Sequence, residues 1–304
     1  MNQDPLGNGG SGQSRRRGVG GLRLWVILLF AGYAAWYWFS NRTTDPLTGE
    51  KVVIDKSISP DDEKALGLQA YAEILQQEQP VDPNSQIAQQ VKGIAQRLIV
   101  KIPEVSDALA GEHGLQASHI EKSFDWQVTV LQSEQANAFC LPGGKMAVYS
   151  GLVPVAQNQD AMAIVMGHEI AHALLRHGAQ RMTRGKLEQL GQVAGAMSGM
   201  DASTMQGVMS AYGYGSALPY ARSQESQADE LGLMLAAAAC FNPQESIPLW
   251  ERMDQMSGGS NPPEFSSTHP SAGTRIQNLQ ALMPKAMEYG RKFCPQGAAA
   301  AGAR

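Results

Sequence analysis

The sequence predicts an α+β domain, mostly α, with a small antiparallel sheet and one N-terminal transmembrane helix in front of it. Three observations lead there. A charge-free apolar run stands near the amino terminus, residues 124–149 alternate in the manner of short strands, and most of the chain beyond Gly151 repeats its apolar residues with helical period. The 304 residues, 43% hydrophobic and 17% charged, suffice for one large core. A mean hydropathy of -0.24 excludes a protein of many membrane spans.

Residues 1–18, rich in Gly, Asn, Gln and Ser and ending near Arg15, Arg16 and Arg17, are expected to form a disordered cytoplasmic tail. Leu24 to Phe39 hold no charge, and residues 19–39 together give roughly 30 Å of helix, enough to span a bilayer. Arg23 can snorkel to the headgroups at the basic end, while Trp36, Tyr37 and Trp38 stand where an aromatic belt forms at the opposite interface. The arginines hold their own end inside, so the rest of the chain faces outward. A bacterial inner membrane with a periplasmic body is the expected setting, with a mitochondrial inner membrane, or secretion after signal cleavage, as alternatives. No small-x-small cleavage site follows the run, which argues against the last.

Charge divides at the same place: residues 1–23 carry a net +3 and the remainder -7. An acidic body without a basic stripe excludes nucleic acid as the expected partner, and no Walker A sequence is present to hold a nucleotide. No G-x-S-x-G supports a serine hydrolase.

Residues 40–58 are expected to be a polar linker, 59–294 the folded domain and 295–304 a low-complexity tail. Ser59-Pro60-Asp61-Asp62 supplies an N-cap, a proline for the first turn and two acids, predicting a helix to about Gln77. After the break at Pro80–Pro83, Ile87, Val91, Ile94, Ala95 and Leu98 line one face of a helix from Asn84 to about Val100. Strands are predicted at 124–131, 136–141 and 145–149, the last two joined by Pro142-Gly143-Gly144. Helices follow at 160–176, ended by Gly178, and at 221–239, 244–256 and 271 to about 289. Between them, residues 189–221 carry a single charge, Asp201. Six glycines and many polar side chains there predict a flexible, water-facing helical hairpin rather than one dipping into the membrane.

His168-Glu169-Ile170-Ala171-His172 places two imidazoles at i, i+4 on one face of a helix, where their nitrogens can converge on a zinc ion. Glu169 projects beside them, placed to take a proton from zinc-bound water. A third protein ligand is needed. His177, five residues beyond His172, lies roughly 140° round the helix and is expected to face away and stabilise the helix C-terminus. Leu175 and Gly178 exclude the extended HExxHxxGxxH form. A downstream carboxylate remains. Glu225 and Asp229, again i, i+4, can face the first helix together, Glu225 ligating and Asp229 accepting the second N–H of His168. Spacing alone leaves Glu188 and Glu230 open. His113 and His119 lack supporting context and are expected at the surface.

HEIAH, RSQESQAD, the NAFCLPGGK sequence of 137–145 and STHPS of 267–271, in this order, resemble the membrane-associated zinc metallopeptidases that include HtpX, the CAAX prenyl proteases and the mitochondrial overlapping-activity protease. The likeness spans roughly residues 60–290 and is nearest in layout to the bacterial periplasmic members with one anchor. It implies a zincin-like fold, one Zn2+ per chain and proteolysis of polypeptide substrates in protein quality control, with His168, His172 and Glu225 as metal ligands, Glu169 as catalyst and Asp229 behind the ligands. It also implies that His269 reaches back to the metal, donating to the tetrahedral oxyanion or filling the fourth zinc position in a latent state. Asn137, Ala138 and Phe139 would lie on an exposed sheet edge that binds substrate by strand addition. Cys240 stands where similar sequences often have Gly, and Cys140 where they often have Ala. In an oxidising compartment Cys240 and Cys294 are expected to form a disulfide with Cys140 left over, three buried free thiols being the alternative. A reading from another class is a zinc-stabilised, chaperone-like module that holds unfolded envelope proteins with latent proteolysis.

Overall fold

A computed structural model describes residues 23–257, Phe265, His269 and 274–294, the side chains of 214 and 215 apart. The tails expected at 1–18 and 295–304, residues 19–22 of the apolar run and the expected helix start at Ser271 lie outside the described residues.

The apolar run forms α1, Leu24–Asn41. Among the described residues no helix is long and apolar enough to cross a membrane. The expected linker is instead built: β1 (Arg42–Thr44) and β2 (Lys51–Val53) make an antiparallel hairpin with Leu47, Val52 and Ile54 buried. Asp45 closes its turn by accepting from the Leu47 and Thr48 amides, the usual service of an Asx side chain. Helix α2, Pro60–Gln77, begins with a complete capping box between Ser59 and Asp62. Helix α3, Gln86–Glu112, runs a dozen residues past the expected end, through Pro103. Ile102, Val105 and Leu109 continue its buried face, and that burial outweighs the hydrogen bond proline removes.

Three strands follow, β3 (Gln127–Leu131), β4 (Ala138–Leu141) and β5 (Lys145–Tyr149), in the order β3-β5-β4. The expected sheet was antiparallel; this one is mixed. β4 and β5 pair antiparallel across the glycine turn, but β5 pairs parallel with β3. The correction follows from position. β5 is the central strand, buried at every residue, and the connection from 131 to 138 carries the chain past it to the far edge.

A one-turn α4, Val153–Ala156, leads into α5, Gln159–Leu174, capped by Asn158 and buried continuously from Ala161 to Leu174. Gly178 does not end it. Arg176 takes the left-handed turn (φ 53°), its guanidinium held by Glu63 and the Ile58 carbonyl, and Gly178 falls in the first turn of α6, His177–Ser198. α7 (Ala202–Tyr212) completes a helical hairpin, and a π-helical turn at Gly213–Ala217 passes into α8, Leu218–Ala238. α9 (Ser246–Ser257) and α10 (Arg275–Phe293) close the core.

Helices α5 and α8 touch backbone to backbone. A Cβ built on Gly232 would stand 2.6 Å from the His168 amide nitrogen, and one on Gly167 2.8 Å from the Gly232 carbonyl oxygen. No side chain fits between them. At the far end of α8, Cys240 adopts φ 64°, the left-handed position where glycine is usual, and bonds to Cys294 at the end of α10. Cys140 is free and buried.

Gly232→Ala forces the two backbones apart and should cost about 1–3 kcal/mol of stability in urea melts, with loss of bound metal. Replacing Cys240 and Cys294 by serine opens a loop of 54 residues and should lower stability by up to about 4 kcal/mol on the chain-entropy model.

Candidate metal centre

The crossing of α5 over α8 decides what His168 meets. From α5, His168 and His172 project to one side with their rings 4.7 Å apart and their Nε2 atoms 3.1 Å apart. From α8, Glu225 brings Oε2 to 3.3 Å from His168 Nε2 and Oε1 to 3.5 Å from His172 Nε2. His269 completes the group, its Nδ1 2.9 Å from Glu225 Oε2 and 3.3 Å from His168 Nε2. One ligand atom from each of the four lies within 4.8 Å of all the others, and all four side chains are buried. Glu188 and Glu230, left open by spacing, take no part in the cluster. Of the STHPS sequence only His269 is described. Its amide donates to the Phe265 carbonyl, and the Phe265 ring stacks on it at 4.5 Å.

The donor set suits a metal ion. With their protons on Nδ1, the two imidazoles turn Nε2 lone pairs to the same point as the Glu225 carboxylate, a donor set for one cation. Glu169 gives the second sign: it is buried, and its Oε1 finds no hydrogen-bond partner, although His269 Nε2 lies 3.4 Å away. Charge gives the third. Glu225, Asp229 and Glu169 crowd the site, and buried carboxylates call for positive charge. Burial pulls the His168 imidazole down, but Asp229 and Glu225 outweigh it and raise it to about 9. Burial likewise lifts Glu225, yet the surrounding His168, His172 and His269 imidazoles hold it well below the usual carboxylate range. Burial raises Glu169.

Behind these residues stands a layer that spacing only half revealed. His168 Nδ1 donates to Asp229 Oδ1 at 2.9 Å, as expected of an i, i+4 partner to Glu225. Arg275 then clamps Asp229 through Nη2 at 2.6 Å, its guanidinium lying 3.3 Å over the Trp250 ring. Nothing in the spacing of a lone arginine on a distant helix announced it.

His177 is a correction. It was expected to face away, on the premise that the helix continues through it. Because Arg176 turns the chain, His177 opens α6 instead, is buried, and lies with Nδ1 2.7 Å from His172 Nδ1. Its Nε2 is 3.0 Å from Gln227 Oε1, and Gln227 Nε2 donates to Glu50 Oε2 at 2.6 Å. With His172 Nε2 turned to the cluster, His172 Nδ1–H donates to His177, which donates to Gln227. Burial pushes His177 down to about 4, so it is neutral and free to accept. The motif reading could have found it from the basic pair Arg176-His177 interrupting an apolar helix.

Asn137, Ala138 and Phe139 lie at and before the start of β4, which is an edge strand. Ala138 is buried, Phe139 packs against Tyr149 at 6.2 Å, and Asn137 turns its Oδ1 to the Ala138 amide at 2.9 Å. One residue earlier, the Ala136 carbonyl accepts from the Phe265 amide at 3.1 Å, so Phe265 stands at this edge. His113 and His119 are remote, the latter paired with Asp107 and Glu121.

His177→Phe keeps the ring's bulk and removes the acceptor for His172. Metal affinity, read by competition with a chromophoric chelator, should fall about 10- to 100-fold while the circular dichroism spectrum is retained.

Residues 102–283 match the model of peptidase family M48. The chain is 32% identical to the mitochondrial metalloendopeptidase OMA1 of Saccharomyces cerevisiae over 289 residues, 90% of this chain and 78% of that protein. It is 34% identical to human metalloendopeptidase OMA1 over 183 residues, which cover 56% of this chain but 34% of the human protein. The beta-barrel assembly-enhancing protease of Escherichia coli is 28% identical over half of this chain and a third of its own length. A buried cluster of two histidines from HExxH, a glutamate and a further histidine, within a chain so matched, makes this protein a member of the M48 family of metalloendopeptidases.

Proposed function

We propose that the chain is a zinc endopeptidase anchored in a bacterial inner membrane through residues 19–39, with a catalytic domain of residues 59–294 on the outer side that cuts misfolded or unassembled envelope polypeptides. The observation that carries the catalytic part is the convergence of His168, His172 and Glu225 beside a buried, unpartnered Glu169 oxygen. Support for setting and substrate comes from relatives whose names are a mitochondrial metalloendopeptidase and a beta-barrel assembly-enhancing protease. The basic flank and aromatic end of the apolar run support the orientation.

His168, His172 and Glu225 would hold the zinc, with Asp229 and His177 fixing the tautomers of the two imidazoles and Arg275 holding Asp229. When bound, zinc polarises the scissile carbonyl and lowers the pKa of the attacking water. Glu169 takes the proton of that water as it attacks and returns it to the leaving amine. An extended substrate pairs with the open edge of β4, where Asn137, Ala138 and Phe139 set its position. His269 Nδ1 lies among the other donor atoms, which supports its reading as a fourth ligand in a latent form; swung out, it would donate to the oxyanion.

Glu169→Gln should keep the metal stoichiometry and cut unfolded casein at least about a hundredfold more slowly; equal rates for both purified proteins defeat the proposed chemistry. Glu225→Ala should lose the metal by atomic absorption. If the intact protein binds casein and never cuts it, with or without chelator, the chaperone-like reading replaces this one.

A further inference from the structure

Helix α6 runs antiparallel beside α1 from Arg23 to Tyr37. At one end the Arg23 amide donates to the Ser198 carbonyl at 2.7 Å. Midway, a Cβ on Gly191 would stand 3.2 Å from the Phe30 ring. At the other end Tyr37 and Lys186 both bond to Asp55, with Lys186 Nζ 5.5 Å from the centre of the Tyr37 ring. The pairs 23/198, 30/191 and 37/186 advance almost residue for residue in opposite directions, which is the register of two straight antiparallel helices. Whatever medium surrounds Leu24 to Tyr37 therefore surrounds residues 187–198 at the same depth.

The composition of the hairpin follows that depth. Between Gln189 and Ala221 the one charge is Asp201, and it caps α7 at the tip, level with the basic end of α1. At the opposite end Arg184 lies 3.8 Å over the Tyr220 ring and 6.0 Å from the centre of the Tyr212 ring, level with the aromatic end of α1. Val193, Met197 and Val208 stand 51%, 59% and 50% exposed on the outside. Between the three helices lies an apolar cleft of about 370 Å³ whose walls include Ile27, Phe30, Met205 and Met209. Basic and aromatic groups at one level, a capped acid at the other and a mainly apolar stretch between, broken by Glu188 near the aromatic level, fit the pattern a bilayer selects.

Resting on the reading of α1 as the membrane anchor, we propose that the α6–α7 hairpin is embedded in the lipid bilayer beside α1, so that the protein holds the membrane by a three-helix unit with a lipid chain in its cleft. This replaces the water-facing hairpin expected from the glycines and polar residues. Glycine at 191 serves the close approach of Phe30, and the hairpin's glutamines are uncharged, which costs a helix far less in lipid than an ion does.

The test is labelling with a membrane-impermeant maleimide of the full chain in vesicles of phosphatidylethanolamine and phosphatidylglycerol. Single cysteines at Leu29, Val193, Val208 and, for the exposed control, Glu104 are each compared with the parent chain, whose free Cys140 is buried. The proposal expects labelling at 104 alone, with 29, 193 and 208 silent until detergent and denaturant are added. Labelling at 193 and 208 with 29 silent overturns the embedded hairpin and leaves the anchor standing. Labelling at 29 as well defeats the anchor reading itself, and with it the proposal.

Discussion

The distance between two glycines governs this molecule. Gly167 on α5 and Gly232 on α8 let the helices meet with no side chain between them, at the residue immediately before His168. A Cβ at either position would push the helices apart by more than a metal site tolerates, since ligand distances are held to within a few tenths of an ångström. Everything else at the centre hangs on that contact: Glu225 reaching both imidazoles, Asp229 taking the second nitrogen of His168, and Arg275 reaching across from α10 to hold Asp229.

A second consequence is electrostatic. Bringing α8 so close to α5 buries three carboxylates around two imidazoles, with Arg275 the one fully buried guanidinium among the described residues to offset them. Such a pocket is costly empty and favourable once it holds a cation, so the affinity for metal is a product of the fold's tightness as much as of the ligands. The chain His172, His177, Gln227, Glu50 extends the arrangement outward to the β1–β2 hairpin, which sits directly after α1. Elements expected to be a mere linker thus bear on the orientation of a ligand.

Much of the fold could be read from local pattern. The capping box at Ser59, the amphipathic face of α3 as far as Leu98 and the Pro142-Gly143-Gly144 turn are interactions between residues close in sequence, and each fell within a few residues of its expected place. The errors have a common cause. Pro103 inside α3, the parallel pairing of β3 with β5, and the left-handed Arg176 that turns His177 inward are all settled by partners far away in the chain, which outweigh local propensity. Gly191, by contrast, shows its use only in packing, where it lets α6 approach Phe30 of α1.

By itself the sequence determined the chemistry available: HExxH on a helix, a second i, i+4 pair of acids downstream, a histidine before a proline and an apolar run with a basic flank. Those are matters of residue type and helical period, and period is a local property. Only the tertiary structure decided which groups meet. It chose Glu225 over the other acids, brought His177 and Arg275 behind the ligands, set His269 among them and laid α6 along α1. Those outcomes rest on how closely two backbones approach, which no spacing along one chain can express.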